Sequence, residues 1–372
     1  MGLSEAVRAG GPPAAAETVP AEPAVPAEPA VPAEPVVPAE SPPPSAAEVG
    51  APELPRPALG RAPGAIQPTD SFATAGRKAM WLHVSRMLDR EDAVRDPAQT
   101  DALKRYRVAT RRLRAAIRVF REAYPKRETK SLRAALADLA GALGRVRDLD
   151  VRVEELDRWA KERGEGAPEA VGPLRVALTS QRRAAAAVLV RKLDSRSHHR
   201  LLTALVQFVT ERDETTGLHE GSPERTTRDH AASSIWAAYE LVRAYASIVR
   251  WADLPTLHGL RIEAKRLRYT LEFLGHVLGP EKDLVLERLV ALQDHLGALN
   301  DATLAVAAIR AFLGERHAGL DPDQRTAIVA YLGDRERELN RLRRSVGRAW
   351  RPVVSITFAR RLARAVVVRP TA

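Results

Sequence analysis

The chain has 372 residues, contains no cysteine and carries a formal net charge of +11 at pH 7. The lack of cysteine excludes disulfides and cysteine-ligated metal or redox centres. Hydrophobic residues make up 45% of the chain and aromatic residues only 5%, which favours a helical fold with a core of Leu, Val, Ile and Ala. The positive charge predicts an anionic partner, such as nucleic acid, anionic lipid or polyphosphate.

Residues 1–66 form a proline-rich segment with the repeat VPAEPA starting at Val19 and again at Val25. Proline at this density disrupts helix and sheet hydrogen bonding, so we predict a disordered, solubilising tail. The segment contains three arginines and eight glutamates, a net charge of −5 that leaves +16 for residues 67–372. A second interpretation is that this acidic tail competes with the anionic ligand for the basic part of the chain.

The N-terminal sequence MGLSEAVRAGGPP lacks the basic region and following apolar run of a secretory signal. The longest fully apolar runs are too short to cross a bilayer. We therefore expect a cytoplasmic protein that does not associate with a membrane.

Helical periodicity begins at the N-cap candidates Asp70 and Ser71, and strand patterns are almost absent from there onward. A polar, turn-rich stretch from Asp213 to Thr227 divides the helical part, residues 70–365, into halves at 70–213 and 228–365. In the first half, helices are predicted after the one that starts at Asp70, over about 100–124, 130–145, 148–163, 173–194 and 199–213.

The two halves resemble each other in sequence. RVATRRLRAAIRVF, from Arg107, aligns with RIEAKRLRYTLEFL, from Arg261, at an offset of 154 residues. LADLAGALGRVRD, from Leu136, aligns with LVALQDHLGALND, from Leu289, at an offset of 153 residues. The near-constant offset predicts an internal duplication that gives an all-α fold of two helical bundles related by a pseudo-two-fold axis.

Each aligned helix carries cations three or four residues apart, on one face beside its apolar stripe. Such like charges repel, and they are tolerated when solvent screens them or an anion neutralises them. The arginine fork fits phosphate oxygens, and the rows recur in both halves, so we favour an anion-binding site over a solvated face. The first cationic row is Lys104, Arg107, Arg111, Arg114 and Arg118, and the second is His258, Arg261, Lys265 and Arg268.

Other polar residues nearby are less specific. Arg112 and Arg266 match each other on a different face and are possible additional contacts or ion-pair partners, and His83 is a further possible contact. Asp148 and Asp301 end aligned segments, and we interpret them as helix caps after glycine or salt-bridge partners. No metal-ligand spacing accompanies them, and no catalytic or cofactor-binding motif occurs, so we expect no metal, no cofactor and no catalytic residue.

The paired motifs, together with LGRVRDLDV and LQDHLGALNDA, resemble the CHAD domain (conserved histidine α-helical domain) over about Phe72 to Leu362. The resemblance implies two antiparallel helical bundles around a basic cavity that binds inorganic polyphosphate, and association with polyphosphate granules. Many members also carry a CYTH triphosphate-tunnel domain with an ExExK signature. ERELN, from Glu336, has Asn in place of the lysine, so we expect a stand-alone member. The family's first-half histidine is Lys104 here, which still donates to phosphate.

These observations predict a polyphosphate-binding protein that is not an enzyme. One alternative is a nucleic-acid-binding protein, which needs aromatic stacking groups that are scarce on the two rows. A less favoured alternative is an enzyme of phosphate metabolism, which needs metal-binding carboxylates or a phospho-acceptor histidine.

Overall fold

The computed structural model describes residues 57–96, 98–210, 226–315 and 319–367. Most of the predicted tail therefore lies outside the described residues, and its last part, 57–66, has no helix or strand. The predicted seam from Asp213 to Thr227 also lies outside them except for its last two residues. Both predictions stay untested over the residues that are not described.

The described part of the chain is all-α, with eleven helices and no β-strand, which confirms the predicted fold class. The helices of the first half are α1 (Phe72–Leu88), α2 (Thr100–Val119), α3 (Lys126–Arg163), α4 (Ala167–Ala170), α5 (Gly172–Leu193) and α6 (Arg196–Thr210). Those of the second half are α7 (Thr227–Arg243), α8 (Leu254–Phe273), α9 (Lys282–Glu315), α10 (Pro322–Val354) and α11 (Ile356–Val366).

Helix starts follow the sequence signals. The amide of Thr74 donates to Ser71 Oγ at 3.1 Å, which makes Ser71 the N-cap of α1. The amide of Thr256 likewise donates to Asp253 Oδ1 at 2.9 Å at the start of α8. These side chains satisfy backbone donors that have no partner inside the helix.

The region predicted as two helices, 130–145 and 148–163, is one continuous helix, α3. Gly144 therefore lies inside a helix, and Asp148 is not a cap after it. Gly297 and Asp301 have the same arrangement inside α9, so the capping interpretation is wrong for both carboxylates. A glycine costs about 1 kcal/mol inside a helix, and the buried leucines and valines on either side outweigh that cost.

The larger hydrophobic core contains residues from both halves. Phe120, after α2, and Phe273, at the end of α8, lie with ring centroids 6.2 Å apart in this core. A smaller cluster, which includes Trp159, Ile309 and Tyr331, joins α3 and α5 to α9 and α10. The two halves are therefore held together by shared apolar contacts, and burial of each large side chain contributes about 1.5–3 kcal/mol.

The order of elements is similar in the two halves. In each, a short 3₁₀ turn, Arg121–Ala123 or Gly275–Val277, links the helix that carries a cationic row to a helix of more than thirty residues. Helices α2 and α8 also pack against each other. This similarity is compatible with an internal duplication, which itself stays a prediction.

By length and composition alone, α9 is a helix that could cross a membrane. Its leucines at 289, 292 and 296 are almost fully buried against neighbouring helices. The core helices of soluble proteins have the same composition, so this feature alone is weak evidence for a membrane span.

Candidate functional site: two cationic rows on α2 and α8

The apolar face of each row-bearing helix fixes the direction of its cations. Tyr106, Leu113 and Ile117 of α2 are fully buried, as are Leu260 and Leu267 of α8. Because residues three or four apart share a helix face, the neighbouring cationic positions lie at the edge of the core, partly exposed.

The two rows meet at their centres. Burial and the positive charges of Arg261, Arg111 and Arg107 lower the pKa of Lys265 to about 7. Burial also lowers the pKa of Arg107 and Arg261, and each lies within electrostatic range of other arginines of the rows. We call Arg107, Arg111, Arg261 and Lys265 the central cluster, in which α2 and α8 supply two cations each.

The central cluster is only weakly neutralised by the protein. Arg107 Nη2 lies 3.8 Å from Asp148 Oδ1 on α3. Within the described residues, the other three cations form no ion pair within 4.0 Å, and the Nε atoms of Arg111 and Arg261 are buried without an acceptor. Clustered, partly desolvated cations without acceptors favour an incoming anion with several oxygens.

Two carboxylates approach the cluster from the long helices. Burial raises the pKa of Asp148, and the charge of Asp301 adds to this effect against the opposing influence of Arg107 and Arg261. Asp301 accepts a hydrogen bond from Asn300 Nδ2 at 3.2 Å. No group of three or more metal-ligating side chains occurs in the part of the chain that the structure describes.

The second cationic row ends in an ion-pair network. Arg268 Nε donates to Glu272 Oε1 at 2.6 Å, and its Nη1 donates to Gln293 Oε1 at 3.3 Å. Arg112 on α2 pairs with the same glutamate at 3.0 Å, and Arg266 lies 3.7 Å from Glu263. Arg112, Arg266 and Arg268 thus have acidic partners, unlike most of the central cluster.

The remaining row members are placed as follows. His258 and Lys104 are exposed near the N-terminal ends of their helices, whereas Arg114 and Arg118 are half-buried further along α2. His258 Nδ1 lies 3.1 Å from Asn300 Oδ1, which is within hydrogen-bond distance. An apolar pocket of about 230 Å³ lies beside it, lined in part by Leu254, Leu257 and Leu299.

His83 was predicted as a possible contact, and this prediction is wrong. It lies on the core face of α1, is only 3% exposed, and packs edge-on against Phe273 with ring centroids 5.9 Å apart. Burial, with the charges of Arg112 and Arg86, lowers its pKa to about 3. A neutral, buried imidazole does not reach a ligand at the surface.

Sequence reasoning missed Asn300 and underrated Asp148 and Asp301. The alignment points to the two aspartates, since they occupy matching positions in the repeated segments, but not to Asn300, which aligns with Arg147. The asparagine precedes the second aspartate and joins it to His258. Its role depends on the distance between α8 and α9, which no sequence pattern supplies.

A family model described as CHAD domain matches residues 78–310 of this chain, without a match to a CYTH domain. Two uncharacterized proteins from two strains of Mycobacterium tuberculosis are 30% identical to it over 264 residues. The alignment covers 64% of this chain and 48% of each relative, so the chain spans about half the length of the curated relatives it matches.

Two solved structures share the helical fold. The CHAD domain from the plant Ricinus communis has a TM-score of 0.57 at 21% sequence identity, covering 84% of this chain and 98% of that chain. PptA from Streptomyces chartreusis has a TM-score of 0.61 at 18% identity, covering 76% of this chain and 99% of that chain. At these identities the likeness shows the fold alone.

Proposed function

The chain belongs to the CHAD domain family, and on that premise we propose that it binds inorganic polyphosphate at the central cluster and along both cationic rows. The observation that carries the proposal is the convergence of four cations, among which the buried Nε atoms of Arg111 and Arg261 have no acceptor. Burial and the repulsion from the three arginines also lower the pKa of Lys265 to about 7. A polyphosphate relieves this repulsion because it brings several negative charges into one place.

The chemistry of the rows suits a ligand that is phosphate throughout. Arginine binds two phosphate oxygens at once, and lysine acts as a compact positive charge. Cationic residues three or four positions apart in a row lie roughly 5–6 Å from each other, so one linear polyanion contacts several of them in succession. Each neutralised phosphate releases counterions, and we expect the affinity to fall steeply with salt.

The proposal is for a binding module and not for an enzyme. A row of cations holds phosphate without activating water or a nucleophile, and the sequence contains no P-loop, metalloprotease or nucleophile-elbow motif. We propose a cytoplasmic protein that associates with polyphosphate granules and has no membrane partner. Release of phosphate from polyphosphate in the presence of Mg²⁺ would instead favour an enzyme of phosphate metabolism.

The test is a competition assay with labelled polyphosphate against DNA, RNA and heparin at increasing salt. We expect unlabelled polyphosphate to displace the labelled polyphosphate more effectively than DNA, RNA or heparin at every salt concentration. Equal displacement by DNA or RNA would support a nucleic-acid-binding protein, and it would contradict the proposal.

A combined variant tests the location of the site. Arg107, Arg111, Arg261 and Lys265 are replaced together by alanine, and binding is expected to be lost while the helical circular dichroism spectrum is retained. A matched control replaces the four exposed arginines at 341, 344, 348 and 351 of α10, which removes the same charge elsewhere. Equal losses in both variants would show that net charge, and not the central cluster, determines binding.

A further inference from the structure

Asp148 and Asp301 stand beside the central cluster in matching positions of the two halves. Asp148 lies 3.8 Å from Arg107, and Asp301 lies within electrostatic range of Arg261 and Lys265. Both carboxylates project from the middle of long helices, α3 and α9, so their backbone positions are fixed. A site built only to attract anions has no need for two carboxylates at its centre.

We propose that Asp148 and Asp301 are internal competitors that keep short phosphate anions out of the central cluster and so make it selective for long polyphosphate. This inference rests on the proposed function and adds a specificity to it. The two aspartates are specificity-determining residues in this scheme, and neither is a ligand-binding residue.

The charge balance of the cluster supports this role. Four cations and two carboxylates leave a net charge of about +2, and each carboxylate is tethered to the same structure as the cations. Tethering gives a competitor an effective concentration in the millimolar range or above without any cost of association. A free orthophosphate or tripolyphosphate has to compete with these resident charges wherever several cations converge.

A long chain escapes this competition. The phosphates of a long polyphosphate contact side chains along the whole length of both cationic rows, including the exposed Lys104 and His258, and not only in the central cluster. Many weak contacts made by one molecule add up, since each new contact is formed without a new loss of translational freedom. The chain can therefore pass the centre without occupying the positions where the carboxylates stand.

The two carboxylates differ in how they are held. Asp148 already pairs with Arg107, whereas Asp301 is held by the neutral amide of Asn300. Asp301 therefore presents more of its charge to Lys265, and it also raises the pKa of that amine against the arginines. We expect Asp301 to make the larger contribution to the exclusion of short anions.

The test uses calorimetric titrations of Asp148→Asn, Asp301→Asn and the double variant with orthophosphate, tripolyphosphate and a long polyphosphate at fixed ionic strength. We expect the double variant to bind tripolyphosphate roughly tenfold more tightly than the unaltered protein, a change of about 1.4 kcal/mol. The affinity for long polyphosphate should rise by less than about threefold. Asp301→Asn alone should account for most of the change in tripolyphosphate affinity.

Asp157→Asn is the matched control, because it removes the same charge from the same helix at an aspartate that pairs with Arg175 at 2.7 Å. Its affinities should not change. An equal gain in affinity for all ligand lengths, or weaker binding of tripolyphosphate, would overturn the inference. The proposed function would still hold in that case, provided that the unaltered protein binds long polyphosphate. Failure of the unaltered protein to bind long polyphosphate would overturn both. Thermal melting checks that each variant is folded. If the double variant does not fold, the ligand affinities of the two single variants test the inference instead.

Discussion

Arg112 on α2 and Glu272 on α8 form an ion pair of 3.0 Å that joins the two halves next to the central cluster. Glu272 also accepts from Arg268 at 2.6 Å, so one carboxylate holds two arginines from two helices. It occupies the position that corresponds to Arg118 in the first half. This substitution of an acid for a base shortens the second cationic row and converts its end into a structural contact.

The first prediction concerns this contact. Glu272→Gln removes the negative charge and leaves two partly buried arginines without a carboxylate. The side chain is 18% exposed, and we expect the free energy of unfolding to fall by about 1–2 kcal/mol. Denaturant unfolding measures the change, and Glu287→Gln, an exposed position on α9, is the control. A stability equal to that of the control would show that the network contributes nothing.

The second prediction concerns the pH dependence of stability through Lys265. Its pKa is lowered from 10.5 to about 7 in the folded state. Between these values the unfolded chain binds more protons than the folded chain, so this residue makes stability rise with pH from 7 towards 10.5. Lys265→Met should remove that rise, as measured by denaturant unfolding at pH 7 and pH 9. An unchanged pH dependence in the variant would contradict the assigned environment.

The third prediction concerns the pH dependence of ligand binding through the same amine. A bound polyanion favours the charged form and raises its pKa, so binding takes up a proton. The affinity for polyphosphate should then decrease as the pH rises above about 7. Lys265→Arg should keep the affinity and lose this part of the pH dependence, because a guanidinium stays charged throughout. Titrations in two buffers of different ionisation enthalpy detect the proton uptake directly.

The fourth prediction compares Lys104 and His258, the exposed first residues of the two cationic rows. Lys104→Ala should weaken polyphosphate binding and reduce the slope of log affinity against log salt concentration by about one, as measured by titrations at several salt concentrations. His258→Ala should weaken polyphosphate binding as well, because it removes a ring nitrogen donor from the exposed start of the second cationic row. Lys104→His keeps a nitrogen donor at this position and should retain more of the affinity than Lys104→Ala. An affinity of His258→Ala for polyphosphate equal to that of the unaltered protein would exclude a direct contact by His258.

The fifth prediction concerns His83. Its pKa is about 3 in the folded state against an ordinary value of 6.5, so stability should fall as the pH drops below about 6.5. His83→Leu removes a buried nitrogen that lacks a hydrogen-bond partner, and should reduce this acid sensitivity without changing polyphosphate affinity. Unfolding curves at pH 4 and pH 7 measure the first effect. A loss of ligand affinity would restore His83 as a contact.

The helical fold and both cationic rows could be predicted because helix geometry alone decides which residues share a face. The spacing of Arg107 and Arg111, or of Arg261 and Lys265, needs only the rise and turn of a helix. Arg268 and Glu272 stand four residues apart, which is the spacing of an ion pair on one helix face, but this pairing was not predicted. Its significance becomes clear only when Arg112 joins the same carboxylate from another helix.

The other features depend on packing between distant segments. The glycines at 144 and 297 are typical helix-ending signals, yet the apolar contacts of α3 and α9 continue the helices through them. The burial of His83 depends on how α1 packs against its neighbours and not on its own periodicity. The convergence of the two rows depends on the packing of α2 against α8, across about 150 residues of chain.

Because α2 and α8 come from different halves, the central cluster exists only while the halves are docked. An anion that bridges both helices therefore binds the docked state and not the separated one, and mass action favours docking as the ligand concentration rises. The same linkage slows any unfolding route that starts by parting the halves. The lifetime of the folded chain would then increase with the concentration of its ligand.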